Sequence, residues 1–391
     1  MVEVGEEGNI MKRRVAVVVL SIAIRLFWSL DANPLLWLYD VYATTAFTVS
    51  RTAEGLDNGT RRIFRSDTTS LEGKTVWITG SSSGIGAELA IQLASTGVGH
   101  LILSGRKVEK IKSTANLCRE AHNMMRTTAQ HLGKEQNNLV ISIVPFDMAG
   151  GLEVLEEAVT VAMEATHNTG IDVLVLNAGQ YYLAPALDAT HVQKALPDLM
   201  KVNFASPINL ALKLIEIDQW RQRQHGHIVN ISSLMGRGAS PMNAVYSASK
   251  HAVRGYFTAL AAEEKSWLRV DVVLPGAVDT GLWNSSWKSA DDTTQLQADD
   301  RSKMKVTRCA QLIISSMIGP SYLFWETWIT RNPGLLWVYL ASYEPFTFNF
   351  LSNFIIAPFR ISMWRENGMD GLYFPDVLRY TWRSLVEYIT G

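Results

Sequence analysis

Cysteine is scarce in this chain, with only Cys118 and Cys309 among 391 residues. Two thiols can form at most one disulfide, and they cannot supply a four-cysteine zinc site. The histidines show no ligand spacing beyond His225-Gly-His227, which is typical of a turn that enters a strand. The sequence therefore predicts no metal site.

An excess of charge of either sign is also missing, because 36 lysines and arginines face 37 aspartates and glutamates. A balanced surface provides no field that would attract nucleic acid, so we expect no nucleic-acid partner. The middle of the chain also lacks linkers and repeats. Although its length exceeds that of one ordinary domain, this pattern indicates one sizeable globular domain with appendages.

The chain lacks an uninterrupted apolar run of the roughly 20 residues that a membrane-spanning helix requires. The best candidate, residues 15–30, is short and contains Arg25, and it follows a basic stretch at residues 12–14. We interpret it as a signal anchor, with a cleaved signal peptide and an interfacial helix as open alternatives. A polar stretch over 50–70 follows, so residues 1–70 are predicted to be a membrane anchor and linker.

The last segment, residues 331–391, is aromatic and apolar but is interrupted by Pro345 and Pro358. We interpret it as two short helices that lie in a membrane interface or cover a pocket of the folded domain. A hydrophobic cap packed on the core is an equally weighted alternative.

Between these segments, strand and helix patterns alternate regularly from Thr75 to Ile329. The predicted strands cover residues 74–79, 100–104, 138–145, 171–176, 228–231, 268–274 and 322–329. Such alternation predicts an α/β fold with a Rossmann-type, doubly wound parallel sheet of seven strands. We assign this catalytic domain to residues 71–330.

A glycine-rich turn follows the first predicted strand and precedes a helix. Glycine there permits a tight turn and a close approach to a pyrophosphate, while the helix N-terminus offers free N–H groups to phosphates. The spacing is G-x-x-x-G-x-G rather than the commoner G-x-G-x-x-G. The candidate cofactor contacts in this loop are Gly80, Ser82, Ser83, Gly84, Ile85 and Gly86.

The end of the second predicted strand indicates which dinucleotide binds. A fold that uses NAD usually carries an acid there, whereas an arginine accommodates the 2′-phosphate of NADP. This chain has Gly105-Arg106 and no Asp or Glu at that point. We therefore predict NADP(H), with Arg106 and Ser82 at the 2′-phosphate; the alternative is a solvated arginine at a helix start.

A hydroxyl, a phenol and an ammonium are expected to converge near residues 228–252. Tyr246 and Lys250 are four residues apart, so a helix places both on one face. Ser233 follows the preceding strand at its carboxyl end, where open α/β sheets place their ligands. The alternative is an amphipathic helix with an ordinary tyrosine and lysine.

This convergence suits carbonyl reduction, in which a hydride leaves negative charge on oxygen and a proton must meet it. A free phenol has a pKa of about 10, and a nearby cation is expected to lower it. We therefore predict Tyr246 as the general acid or base, Lys250 as the group that tunes its pKa, and Ser233 as a donor to the substrate oxygen.

Together these motifs resemble the short-chain dehydrogenase/reductase superfamily over residues 71–330. The resemblance rests on Thr79-Gly80-Ser-Ser-Ser-Gly84-Ile85-Gly86, Asn177-Ala178-Gly179, Ser233, Tyr246 with Lys250, and Pro275-Gly276. Leu176 departs from the family, which often has asparagine at that position. Residues 248–257 and 307–317 narrow the resemblance to a membrane-bound reductase type.

The resemblance implies further site residues. Asn203 would hold a water against Lys250, and the Asp147 carboxylate would accept from the adenine amino group. Val278 would lie along the nicotinamide amide and Thr280 near the phosphates. The remaining implied cofactor contacts are Asn177, Ala178, Gly179, Pro275, Gly276, and Tyr246 and Lys250 themselves. Residues 281–305, which contain two tryptophans amid polar residues, are interpreted as a substrate lid.

The sequence thus predicts an NADP(H)-dependent enzyme acting on a lipophilic steroid, retinoid, keto-lipid or xenobiotic carbonyl. One alternative is a sphingoid-base ketone reductase of the same superfamily. Another is an inactive, membrane-tethered scaffold, although the intact Asn203, Ser233, Tyr246 and Lys250 argue against it. We expect a membrane protein of the endoplasmic reticulum, and a homodimer is left open.

Overall fold

The computed structural model describes residues 71–131, 138–282, 303–318, 326–329 and 342. All of them belong to one compact unit, Ser66–Gly391. The predicted anchor and linker at residues 1–70 lie outside the described residues, as does the C-terminal segment apart from Ser342. The domain boundaries therefore stay predictions.

Seven parallel strands form one sheet, and two short strands form a second. The strands are β1 (Thr75–Thr79), β2 (His100–Ser104), β3 (Val140–Ile143), β4 (Val173–Leu176), β5 (Gly226–Ile231), β6 (Leu268–Pro275), β7 (Val278–Asp279), β8 (Met304–Lys305) and β9 (Glu326–Ile329). The large sheet has the order β3-β2-β1-β4-β5-β6-β9, and β7 pairs with β8. The predicted doubly wound parallel sheet of seven strands is confirmed.

Helices cover both faces of this sheet. They are α1 (Gly84–Leu93), α2 (Val108–His131), α3 (Leu152–Ala165), α4 (Ala189–Met200), α5 (Ser206–Ile217), α6 (Trp220–Arg223), α7 (Ala244–Glu263) and α8 (Val306–Ile318). Alternate residues of a strand point to opposite faces. In β1, Val76 and Ile78 pack in a core with α1, α2 and α8, whereas Trp77 packs in a second core with α3, α5 and α7. Burial on both faces explains why β1 and β4 are continuous apolar runs.

The strand order places the site. From β1 the chain winds outward to β2 and β3, and then returns to β4 on the other side of β1. The carboxyl ends of β1 and β4 therefore flank a crevice at the point where the winding reverses. Ligands of open α/β sheets bind at such a switch point.

Three details differ from the sequence-based picture or refine it. The predicted strand over 138–145 is limited to Val140–Ile143, and the described part of the predicted strand over 322–329 is β9, Glu326–Ile329. The helical region predicted near Asn203 contains a π-helical turn, Lys201–Ala205, between α4 and α5. Cys118 and Cys309 are both buried free thiols.

The length and hydropathy of a helix decide whether it can cross a bilayer. Among the helices of the described ranges, none is long and apolar enough to cross a membrane.

Candidate active site

The glycine loop after β1 can only be built with glycine at its ends. Gly80 has a φ of +69°, and a Cβ there would stand 2.8 Å from the Ala178 Cα atom. A Cβ on Gly86 would stand 2.5 Å from the Gly80 carbonyl oxygen. Gly84 begins α1 with a φ of +59°. The backbone conformation and the space around it thus explain these three glycines.

Thr79 and Asn177 join the glycine loop to the loop after β4. The Thr79 hydroxyl accepts from the backbone N–H groups of Asn177 (3.0 Å) and Ala178 (3.1 Å). The Asn177 amide donates in return to the carbonyl oxygens of Thr79 and Gly80, both at 3.1 Å. Asn177 and Ala178, predicted as cofactor contacts, therefore also brace the glycine loop, and Gly179 continues this segment towards Lys250.

The N-terminus of α1 faces the same crevice. Ser83 occupies the N-cap position in an extended conformation, and the helix begins with Gly84 and Ile85. Within the described residues, the Ser83 side chain accepts no capping hydrogen bond from the N–H groups of α1. The first N–H groups of α1 and the positive end of its dipole are thus directed at the space beside the glycine loop.

The residues predicted to read the adenosine half lie together beyond β2. An Nη1 atom of Arg106 is 3.9 Å from an Asp147 carboxylate oxygen, and both side chains are about half exposed. The Ser82 hydroxyl lies 3.6 Å from where a Cβ of Gly105 would stand. The other Asp147 oxygen accepts from the Ala149 N–H at 2.9 Å. Their contacts with adenosine stay predictions.

The predicted catalytic groups converge at the start of α7. Tyr246 and Lys250 are only 6% and 5% exposed. The Lys250 Nζ lies 5.9 Å from the centre of the Tyr246 ring and donates to the Ile231 carbonyl at 3.2 Å. The Ser233 side chain is close enough to the Tyr246 phenol to oppose the rise in its pKa. The structure thus brings these three predicted side chains into one region, and their catalytic roles stay predictions.

The direction of the Tyr246 shift is opposite to the one predicted. Burial raises the pKa of Tyr246 to about 12, and the Ser233 side chain opposes that shift only partly. Burial also lowers the pKa of Lys250 to about 8. Desolvation sets the direction of both shifts, since it penalises the charged form of each group. The phenol is therefore protonated at neutral pH, as a general acid must be.

Asn203 lies in the π-helical turn and is 1% exposed. Its side chain bonds the backbone of Gln180 in both directions, accepting from the N–H at 2.8 Å and donating to the carbonyl at 2.9 Å. It also donates to the Ser249 hydroxyl. Its side-chain oxygen and the Lys250 Nζ both lie within 3.5 Å of where a Cβ of Gly179 would stand. A buried amide needs hydrogen-bond partners, and this need is enough to explain these bonds. The role of Asn203 in holding a water against Lys250 stays a prediction.

The loop after β6 closes the other side of the crevice. The Gly276 N–H, next to Pro275, donates to the Ile329 carbonyl at 2.9 Å. Val278 is buried in β7, and the Thr280 side chain lies 3.3 Å from where a Cβ of Gly84 would stand. This contact brings the loop against the start of α1. Most of the predicted lid, residues 283–302, lies outside the described residues.

The carboxylate of Glu326, which the sequence analysis did not predict as a site residue, connects several elements around this site. Glu326, on β9, accepts from Arg254 of α7 at 2.5 Å and from Trp328 at 2.6 Å. The Arg237 Nε, behind the Ser233 loop, is 3.7 Å from Glu326 and donates to Ser342 at 2.8 Å. Glu326 thus connects the loop, the catalytic helix and the last strand. No local sequence signal could have found it, because Glu326 and Arg254 are 72 residues apart.

The chain is similar in sequence to a known family and to individual proteins. The family model described as short chain dehydrogenase matches residues 74–291. The human protein named dehydrogenase/reductase SDR family member 7 is 32% identical over 69% of this chain and 74% of its own length. The Xenopus laevis protein named dehydrogenase/reductase SDR family member 7B is 34% identical over 54% of this chain and 60% of its own length.

Solved structures show the same fold. An alcohol dehydrogenase from Thermococcus sibiricus, complexed with 5-hydroxy-NADP, has a TM-score of 0.51 at 21% identity and covers 66% of this chain and 95% of its own. An actinorhodin polyketide ketoreductase with NADPH has a TM-score of 0.54 at 24% identity and covers 67% and 97%.

Proposed function

Because this chain belongs to the short-chain dehydrogenase family, we propose that it is an NADP(H)-dependent oxidoreductase that interconverts a carbonyl and a secondary alcohol on a lipophilic substrate. The family match identifies the chain as a short-chain dehydrogenase/reductase. The observation that carries the proposed reaction is the meeting of Ser233, Tyr246 and Lys250 beside the glycine loop.

The residues around the crevice fit a dinucleotide. Gly80, Gly84 and Gly86 leave a cradle that side chains would fill, and the N-terminus of α1 faces it. These residues would hold the pyrophosphate, with Thr280 beside it and Val278 near the nicotinamide end. When bound, the nicotinamide supplies or accepts the hydride.

The side chains at α7 handle the charge and the proton. Ser233 and Tyr246 would both donate hydrogen bonds to the substrate oxygen, which gains negative charge during reduction. Tyr246 would then transfer its proton to that oxygen. Lys250, protonated below its pKa of about 8, would stabilise the phenolate that remains. In the oxidative direction the same phenolate would take the proton from the alcohol.

The preference for NADP(H) is supported by Arg106, because no Asp or Glu stands next to it at the end of β2. Arg106 and Ser82 are positioned at the end of β2, where the adenosine ribose of a dinucleotide lies in this fold. The two structural neighbours described above were solved with NADP-type cofactors. Arg106 pairs with Asp147, which follows the neighbouring strand β3.

A lipophilic substrate is supported by the surroundings of Tyr246. Its ring belongs to a buried apolar cluster that includes Leu183, Leu199, Met242 and Val245. We expect NADPH oxidation with at least one steroid, retinoid, keto-lipid or xenobiotic carbonyl, assayed as a panel that includes a sphingoid-base ketone. A sphingoid-base ketone as the one active compound would favour the alternative reductase, and inactivity on all of them would contradict the proposal.

We also propose that the chain is anchored in the endoplasmic-reticulum membrane with its catalytic domain in the lumen. The basic residues 12–14 precede the apolar segment 15–30, and the positive-inside rule would keep that end cytosolic. The four arginines within residues 51–65 oppose this orientation.

N-glycosylation can test that orientation. Asn58-Gly-Thr60 and Asn284-Ser-Ser286 are acceptor sequences, whereas Asn230-Ile-Ser232 places Asn230 in a buried strand, where it should stay unmodified. In microsomes we expect a glycosidase-sensitive mass shift that vanishes when Asn58→Gln and Asn284→Gln are combined. Absence of a shift, with digestion by protease added outside sealed vesicles, would place the domain in the cytosol.

A further inference from the structure

We infer that Tyr181 is a positioning residue that sets the orientation of the Tyr246 ring. The inference rests on the proposed role of Tyr246 as the proton donor. Tyr181 lies in the loop after β4, two residues beyond the Asn177-Ala178-Gly179 segment, and is only 8% exposed. It touches Tyr246 and the N-cap residue of the catalytic helix, through separate parts of its side chain.

The first contact is between the two rings. The ring centres of Tyr181 and Tyr246 are 4.7 Å apart, and the ring planes are inclined at 66°. This edge-to-face arrangement is a preferred geometry for aromatic pairs. Tyr181 therefore limits the swing of the Tyr246 side chain about its Cα–Cβ bond, and with it the position of the phenol oxygen.

The second contact fixes the start of α7. The Tyr181 hydroxyl donates to the side-chain oxygen of Asn243 at 2.6 Å. Asn243 is the N-cap residue of α7, and in the described part of the chain its side chain makes no capping hydrogen bond. The amide oxygen that would ordinarily cap the helix is thus held by Tyr181, three residues before Tyr246.

The backbone beside Asn243 is held by the same loop. Met242 has a φ of +70°, a conformation that a residue with a side chain keeps only where its surroundings enforce it. Its carbonyl accepts from the Ala184 N–H at 2.9 Å. Asn203 in turn fixes the backbone of Gln180, next to Tyr181. The segment from Gln180 to Ala184 is therefore anchored at both ends, so that Tyr181 presents a fixed surface to Tyr246.

The test uses Tyr181→Phe in the full-length protein, because this change keeps the ring and removes only the hydroxyl. The matched control is Tyr182→Phe. Tyr182 is equally buried, and its hydroxyl has no hydrogen-bond partner within the ranges that the structure describes. The probes are NADPH and the best substrate of the carbonyl panel, and the readouts are kcat, KM and the Kd of NADPH.

We expect Tyr181→Phe to lower kcat by about 3- to 10-fold, the effect of one lost hydrogen bond. The Kd of NADPH should stay within about twofold of the parent value, and Tyr182→Phe should match the parent. Asn243→Ala should lower kcat to a similar degree. The double variant should be no slower than the slower single variant, because both remove the same interaction.

Three outcomes would overturn the inference. The first is an equal kcat for Tyr181→Phe and Tyr182→Phe while Tyr246→Phe is inactive, which would leave the proposed function intact. A parallel loss of NADPH affinity in Tyr181→Phe, or additive effects with Asn243→Ala, would indicate a general structural role. A Tyr246→Phe variant as fast as the parent would overturn the proposed function and this inference together.

Discussion

Replacement of Tyr246 by phenylalanine is expected to lower the kcat of carbonyl reduction by roughly 10²-fold or more, the scale of general acid–base catalysis. Burial raises the pKa of the phenol to about 12, so the parent enzyme holds that proton at neutral pH. Phenylalanine preserves the ring contact with Tyr181 and removes only the hydroxyl that carries the proton. Steady-state kinetics with NADPH and an active carbonyl, together with a titration of NADPH binding, measure the effect.

A second tyrosine of the same helix provides the control. Tyr256 lies on α7, ten residues after Tyr246, and packs its ring edge-on against Phe257 at 5.3 Å. Tyr256→Phe should keep the kcat of the parent, and Tyr246→Phe should keep its Kd for NADPH. Equal rates for Tyr246→Phe and the parent would remove Tyr246 from the mechanism.

The pH dependence should report on Lys250. Because burial lowers the pKa of its ammonium to about 8, the positive charge is present below that pH and lost above it. The neutral amine no longer stabilises the phenolate that proton transfer leaves behind. Carbonyl reduction by the parent should therefore weaken as the pH rises through about 8, and Lys250→Met should be slow at every pH.

Replacement of Arg106 by aspartate is expected to reverse or erase the preference for NADPH over NADH. A charge-assisted hydrogen bond contributes about 1.5–3 kcal/mol, so its loss should weaken NADPH binding by roughly 10- to 100-fold. The introduced carboxylate would also repel the 2′-phosphate. Titration of both cofactors against the parent and the variant measures the ratio of the two Kd values.

The neighbouring residue is a suitable control for this change. Lys107→Asp alters the charge by the same amount one position along the chain, at another exposed side chain. It should weaken NADPH binding only slightly. The ion pair between Arg106 and Asp147 is about half exposed, so its loss should cost little stability. The Arg106 assignment is wrong if the parent binds NADH as tightly as NADPH.

Local sequence signals were sufficient for the sheet and for the residues that meet in the site. The central strands are continuous apolar runs because both of their faces are buried, and a run of this kind is visible without the structure. The spacing of Tyr246 and Lys250 fixes their common helix face, and the strand end before Ser233 fixes the edge of the sheet.

Contacts between residues that are distant in the chain could not be predicted from such local signals. The pKa of Tyr246 depends on burial by the loop after β4, so the predicted direction of its shift was wrong. The π-helical turn around Asn203 serves contacts with Gln180 and Ser249, and helical periodicity alone does not reveal it. The links from Tyr181 to Asn243 and from Glu326 to Arg254 span 62 and 72 residues.

The place of β9 at the edge of the sheet bears on how the enzyme is made. Ribosomes add about 5–20 residues per second, so Glu326 is synthesised roughly 4 to 14 s after Arg254, its partner 72 residues earlier. Until β9 arrives, the outer edge of β6 from Val272 to Pro275 has no strand to pair with. An open apolar strand edge is a template for pairing between chains. In that interval the β6 edge can pair with another chain, and the docking of β9 removes this site.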